Sequence, residues 1–293
     1  MEALFRDMKS LPASVLLALL VCSCASQRHF VPKTQSRVRF ALCQTPCGPF
    51  ADGKRIDETF EWARRRLRGD EDAIVFPELA FASYSELGTA WRGGPEVWEK
   101  SAAFARERNA WVFVNHPNRP EGSPKPFNET RVFAPDGTVA AVYRKRVLAR
   151  MDVAAGFEAG QPAVPAELPF ARIGILVCKD AFTPAEGFGD YGTADVLLVQ
   201  FAHPGIDDRY VPEAANFPSS AVSREDLRDS RYGWLDLGRP YLAVNKTGPD
   251  GVYTLCGGTF AASGSGTIGA GADTEAKIVF VDLPLGPDGR IEP

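Results

Sequence analysis

From residue 38 onward, apolar positions fall in short runs separated by charged segments with helical spacing. Residues 38–43 alternate weakly and predict a strand. Residues 55–68 place Ile56, Phe60, Ala63 and Leu67 at helical spacing with charges between them, which predicts an amphipathic helix. The run 73–76 is apolar without interruption, the mark of a strand buried on both faces. A second helix is predicted over 96–108, with Val97, Phe104 and Ala105 on one side, followed by a buried strand over 111–114. Residues 131–133 and 139–144 flank Ala134-Pro135-Asp136-Gly137, a turn between two strands. Further strands are predicted over 173–177, 196–199, 241–244, 258–262 and 276–281, and a charged helical stretch over 219–239. Buried strands joined by helices, together with hairpins, indicate an α/β layered fold.

The first 36 residues break this rhythm. Leu11 to Val21 is an apolar run of signal-peptide length, too short to cross a bilayer unaided. It ends in Val21-Cys22-Ser23-Cys24-Ala25-Ser26, which resembles a bacterial lipoprotein signal with Cys24 as the lipidated residue. Residues 1–24 are therefore expected to be a signal peptide with a lipobox, with a start at Met1 or Met8. Residues 25–37 form a polar tether, and residues 38–293 a single domain. The protein is expected to be exported to the periplasm or cell envelope, touching the membrane only through that lipid.

Composition narrows the function. With 33 Lys+Arg against 37 Asp+Glu the formal net charge is −4, which argues against a nucleic-acid binder. Three histidines (His29, His116 and His203) leave little room for a multi-histidine metal site, and no metal or cofactor is expected. No Gly-x-Ser-x-Gly elbow and no phosphate loop is present. Gly264-Ser265-Gly266-Thr267-Ile268-Gly269 fits a dinucleotide fingerprint in letters only; a strand follows it where a helix is needed, so a hairpin turn is expected.

Three segments carry chemistry at strand ends, where α/β proteins place it. Phe76-Pro77-Glu78 delivers a carboxylate, Tyr143-Arg144-Lys145 a cation, and Val177-Cys178-Lys179-Asp180 a cysteine with a cation and an anion beside it. In this order and spacing they resemble the nitrilase, or carbon–nitrogen hydrolase, superfamily. The resemblance extends to Phe127-Asn128-Glu129-Thr130, Val244-Asn245-Lys246-Thr247-Gly248 and Gly257-Gly258-Thr259-Phe260, so it covers about residues 38–283.

The resemblance implies a four-layer αββα sandwich of two mixed sheets flanked by helices, usually assembled as a homodimer. It implies hydrolysis of a non-peptide C–N bond of a small linear amide through a thioester on Cys178. Glu78 would be the general base, and Lys145 with the backbone N–H of Lys179 would hold the oxyanion. The same thioester would serve an N-acyltransferase, and a catalytically inactive envelope binding lipoprotein is the alternative from another class.

The sequence departs from the family at two places. Many members carry a second glutamate about eight residues after the lysine. Here Asp152 is one position early and one methylene shorter, Glu158 is the other acid nearby, and loss of the role is the third option. After the cysteine the usual Arg-Phe-Pro-Glu becomes Phe182-Thr183-Pro184-Ala185-Glu186. Cys43, Cys47 and Cys256 are left as packing residues or disulfide partners. Asn128-Glu129-Thr130 is also a glycosylation sequon, expected to be idle.

Overall fold

The computed structural model describes residues 32–292 except 34–35, 49–53, 163, 205–227, 252 and 273. The expected signal peptide, Cys24, His29, most of the tether and the 205–220 loop lie outside the described residues.

Strands β1 (Arg37–Gln44), β2 (Ala73–Val75), β3 (Trp111–Asn118), β4 (Phe127–Phe133), β5 (Val139–Arg144) and β14 (Lys277–Pro284) form one six-stranded sheet, in the order β14-β1-β2-β3-β4-β5. The second six-stranded sheet takes β6 (Ala166–Leu168), β7 (Ala171–Val177), β8 (Val196–Gln200), β9 (Tyr241–Val244), β12 (Phe260–Ala262) and β13 (Ile268–Gly271), in the order β13-β12-β9-β8-β7-β6. Both are mixed: β1-β2-β3 and β7-β8-β9 run parallel, while β3-β4-β5 and β6-β7 are antiparallel. A small hairpin, β10 (Thr247–Asp250) with β11 (Tyr253–Cys256), stands apart.

Side-chain alternation assigns the faces. Ala41, Cys43, Ile74, Phe76, Val112 and Val114 of the first sheet pack with Phe60 and Ala63 of α1 (Arg55–Arg64) and with Val97, Phe104 and Ala105 of α2 (Gly94–Arg108). Phe40 and Trp111 belong to the opposite face and meet Phe170, at the entry to β7, with ring centroids 6.1 Å apart in each pair. Two mixed sheets thus face one another, with α1 and α2 on the outer face of the first, in the α/β sandwich the sequence implied.

Helix α1 stops at Arg64, short of the expected Arg68, because the buried Glu71 carboxylate captures the N–H groups of Arg68 and Gly69 and turns the chain. Helix α2 begins earlier than expected, with Pro95 in its first turn, and ends on the left-handed Asn109. The helix expected over 219–239 is corrected within its described part. Ser230–Leu237 is a 3-10 helix, pinned by buried Trp234, whose Nε1 donates to Ala181 O at 2.9 Å. The glycine-rich segment 264–269 is the β12–β13 hairpin, as expected. The described cysteines Cys43, Cys47, Cys178 and Cys256 are all free and buried, so no disulfide forms among them.

Candidate active site

Three strand ends converge. Glu78 follows β2, Lys145 directly follows β5, and Cys178 directly follows β7 as the first residue of a 3-10 turn, Cys178–Phe182. Two sheets therefore share the site, the first giving the acid and the cation, the second the thiol. Backbone strain marks the same place. Only three described non-glycine residues have positive φ, and two of them are Cys178 (φ 46°) and Leu79 (φ 53°), the residue after Glu78.

Lys145 is 1% exposed. Its Nζ lies 2.8 Å from Glu78 Oε1 and 2.8 Å from Asp152 Oδ2. Its backbone is fixed too: Lys145 N donates to Asn128 O, and Lys145 O accepts from Gly160 N, both at 2.9 Å. A side chain at position 160 has no room, since its Cβ would lie 2.2 Å from Arg144 O. Burial works against the ammonium, but the charges of Glu78 and Asp152 outweigh it, and the pKa of Lys145 is held well above its ordinary value. With two of its three protons donated to carboxylates, one N–H remains for an incoming oxygen.

Glu78 is 1% exposed and accepts three hydrogen bonds. Oε1 takes Lys145 Nζ and Asn128 Nδ2, both at 2.8 Å, and Oε2 takes Ala202 N at 2.9 Å. The Cys178 thiol is pushed well above its ordinary pKa, first by burial and then by the Glu78 charge, with Lys145 opposing. The resting cysteine is therefore a thiol, with the Glu78 carboxyl group beside it.

Of the two nearby acids, Asp152 is the one brought against Lys145. Asp152, on the short helix α3 (Arg150–Ala154), is 3% exposed and sits against Lys145, held by Ala149 N at 2.8 Å and Asn128 Nδ2 at 3.2 Å. The helix brings the shorter side chain in, whereas Glu158 is exposed. The side chain of Lys179 leaves the site and donates to Leu148 O at 3.1 Å. Its backbone N–H belongs to the first turn of the 3-10 segment, where no earlier carbonyl of the turn can accept it.

Asp180 couples the cysteine turn to the lysine loop. Its Oδ1 accepts Val147 N at 2.8 Å and Arg146 N at 3.2 Å, and its Oδ2 accepts the Tyr143 hydroxyl at 2.7 Å and Val177 N at 3.0 Å. Sequence reasoning missed a second tier, namely Asn115, Thr130, Gln200 and the contacts of Asn128. Each ends or interrupts an apolar strand with a polar residue, the same signal that marked Glu78. The sequon asparagine, Asn128, has its side chain fully buried and engaged at both ends.

His116 lies in β3, and its Nε2 is 3.0 Å from Ala90 O. His203 follows β8 and packs on Phe182, with ring centroids 5.6 Å apart.

His116 and Asp180 give stability two opposed pH dependences. Burial lowers the His116 pKa from 6.5 to about 4, against the pull of the Ala90 carbonyl. Between these values the unfolded chain binds a proton that the folded chain refuses, so stability falls as pH drops. Burial raises the Asp180 pKa from 3.8 to about 6, against its hydrogen bonds. Here the folded chain binds the proton first, so stability rises as pH drops through that window. Each effect is worth about 3 kcal/mol in full, and they nearly cancel. Relative to wild type, His116→Gln is expected to gain about 3 kcal/mol on going from pH 7 to pH 4. Urea unfolding at the two pH values measures this difference; parallel curves for the two proteins contradict it.

A family model described as carbon-nitrogen hydrolase matches residues 39–287. A carbon-nitrogen hydrolase from Helicobacter pylori G27 superposes with a TM-score of 0.71 at 19% identity, over 84% of this chain and 88% of that one. An amidase from Nesterenkonia sp. gives 0.69 at 22% identity, over 85% and 91%. A mutant of the amidase from Nesterenkonia sp. AN1, with the acetamide moiety of fluoroacetamide covalently added at its active site cysteine, gives 0.69 at 21% identity, over 85% and 91%. No curated protein matches the chain.

Proposed function

This chain belongs to the carbon–nitrogen hydrolase family, and from that membership we propose that it is an amidase-type hydrolase of small linear amides, with Cys178 as nucleophile. One observation carries the reading. A buried ammonium, Lys145, is held at 2.8 Å by two carboxylates, and its charge and that of Glu78 both act on the Cys178 thiol.

Attack joins Cys178 Sγ to the amide carbon while the thiol proton passes to Glu78. The carbonyl oxygen becomes an oxyanion, met by the remaining N–H of Lys145 and by the backbone N–H of Lys179. Collapse breaks the C–N bond. The leaving nitrogen takes the proton from Glu78, and the acyl group stays on sulfur as a thioester. Water then attacks the thioester, giving one proton to Glu78; the carboxylic acid leaves and the proton returns to the thiol.

Export, lipidation at Cys24 and homodimer assembly remain proposals of the same reading; palmitate labelling tests the anchor and light scattering the dimer. The activity is tested by ammonia release across amides, ureas, carbamoyl compounds and nitriles. Turnover of at least one linear amide is expected. Turnover of nitriles alone, or of none of the panel by folded protein, contradicts the proposal.

A further inference from the structure

Asn128, on β4, lies between the two acids. Its Nδ2 donates to Glu78 Oε1 at 2.8 Å and to Asp152 Oδ1 at 3.2 Å. Lys145 Nζ reaches that same Oε1 and the other oxygen of Asp152, both at 2.8 Å. Glu78, Lys145, Asp152 and Asn128 therefore close a ring of buried side chains, two anionic, one cationic and one neutral.

The orientation of the amide is fixed from behind. Asn128 Oδ1 accepts Asn115 Nδ2 at 2.8 Å, which turns the NH₂ group toward the acids. Asn115 is held in turn, since its Oδ1 accepts Leu79 N at 2.9 Å and its Nδ2 donates to Thr130 Oγ1 at 3.2 Å. Thr130 Oγ1 donates to Gln200 Oε1 at 2.6 Å, and Gln200 Nε2 donates to Phe76 O at 2.6 Å. A polar chain thus runs from the strand before Glu78, through both sheets, and back to Glu78 itself.

The ring distinguishes the two oxygens of Glu78. Two donors occupy Oε1, which fills its lone-pair directions. Oε2 takes the Ala202 N–H at 2.9 Å, and the Cys178 thiol is a further hydrogen-bond donor to this carboxyl group. A proton taken from the thiol has a place on Oε2 and none on Oε1.

We infer that Asn128 is a positioning residue, one that makes Oε2 the proton-carrying oxygen of Glu78 and holds the short side chain of Asp152 in contact with Lys145. The inference rests on the amidase reading, but Asn128 touches no reacting atom.

The test needs no substrate. Alkylation of Cys178 by iodoacetamide, mapped by peptide mass, is followed against pH in wild type, Asn128→Ala and Asn128→Asp. Loss of one donor to the carboxylate ring is expected to slow alkylation of Asn128→Ala about 10-fold near pH 7 and move the acid limb of its profile up by about one pH unit. Asn128→Asp, of equal size, sets a third carboxyl against Glu78 and Asp152, so its limb moves further up. On the best amide, kcat of Asn128→Ala is expected to fall about 100-fold with KM within about 3-fold of wild type.

A folded Asn128→Ala whose alkylation profile superimposes on that of wild type overturns the inference. If Asn128→Ala does not fold, Asn128→Asp decides: an up-shifted limb supports the inference and an unshifted one overturns it. A wild-type Cys178 that iodoacetamide leaves unmodified across the pH range defeats the nucleophile reading together with the inference resting on it, an outcome distinct from the other two.

Discussion

Cys178→Ala is expected to lower amide turnover by a factor on the order of 10⁴ or more while leaving the chain folded. The loss is large because every covalent step passes through Sγ. With sulfur gone, Glu78 and Lys145 have only a bound water to work with, and no thioester divides the reaction into two easier steps. The fold is spared for a separate reason. Alanine keeps the Cβ, so the strained φ of 46° at this position is unchanged, and the variant loses only the packing of one sulfur. Stability within about 1 kcal/mol of wild type is expected by urea unfolding. Full activity in Cys178→Ala, or collapse of the fold, contradicts this account.

Lys145→Met is expected to damage both function and stability. The methionine fills much of the same space but removes the charge that Glu78 and Asp152 share at 2.8 Å. Two buried carboxylates are then left facing one another, which costs about 3–5 kcal/mol when a buried pair loses one partner. Part of this is recovered if one acid takes up a proton, so the variant is expected to regain stability as pH is lowered. Catalysis loses its fixed cation at the developing oxyanion, worth a factor of roughly 10² to 10³ in kcat, and the proton now held between the acids removes the base as well. The combined loss in kcat/KM is expected to exceed that of removing one oxyanion donor alone. Urea unfolding at pH 5 and pH 8, with kinetics on the residual activity, measures both. Equal stability at the two pH values contradicts the ion-ring arrangement.

Much of this was legible in the residues, and the misses share one cause. Strands β2, β7 and β8 announced themselves through short apolar runs, and β1 through weak alternation. Glu78, Lys145 and Cys178 could be recognised because each lies at or just past the end of a predicted strand. Strands β3 and β4 extend further than pattern reading allows, through Asn115-His116-Pro117-Asn118 and Phe127-Asn128-Glu129-Thr130. Those polar residues are buried because they hydrogen-bond one another and the acids. Periodicity rules treat a polar residue as an exposed one and so end the strand too early. Helix α3 was missed because it is five residues long, stabilised by tertiary contacts of Asp152 more than by local propensity. The choice between Asp152 and Glu158 was likewise beyond the sequence, since it depends on how that helix sits against Lys145. Cys43, Cys47 and Cys256 were open to pairing on spacing alone. Their thiols instead sit in separate surroundings, Cys43 in the helix-side core and Cys47 beside the buried Lys246–Asp250 pair.

The central claim is that the thiol of Cys178, served by Glu78 and Lys145, is the atom that takes the acyl group. Incubation with the best amide, acid quench during turnover and peptide mass mapping tests it directly. The account expects the acyl group of the substrate on Cys178, removable by hydroxylamine as a thioester is, and absent in Cys178→Ala. An acyl group confined to Cys43, Cys47 or Cys256, or amide hydrolysis by Cys178→Ala equal to that of wild type, contradicts it.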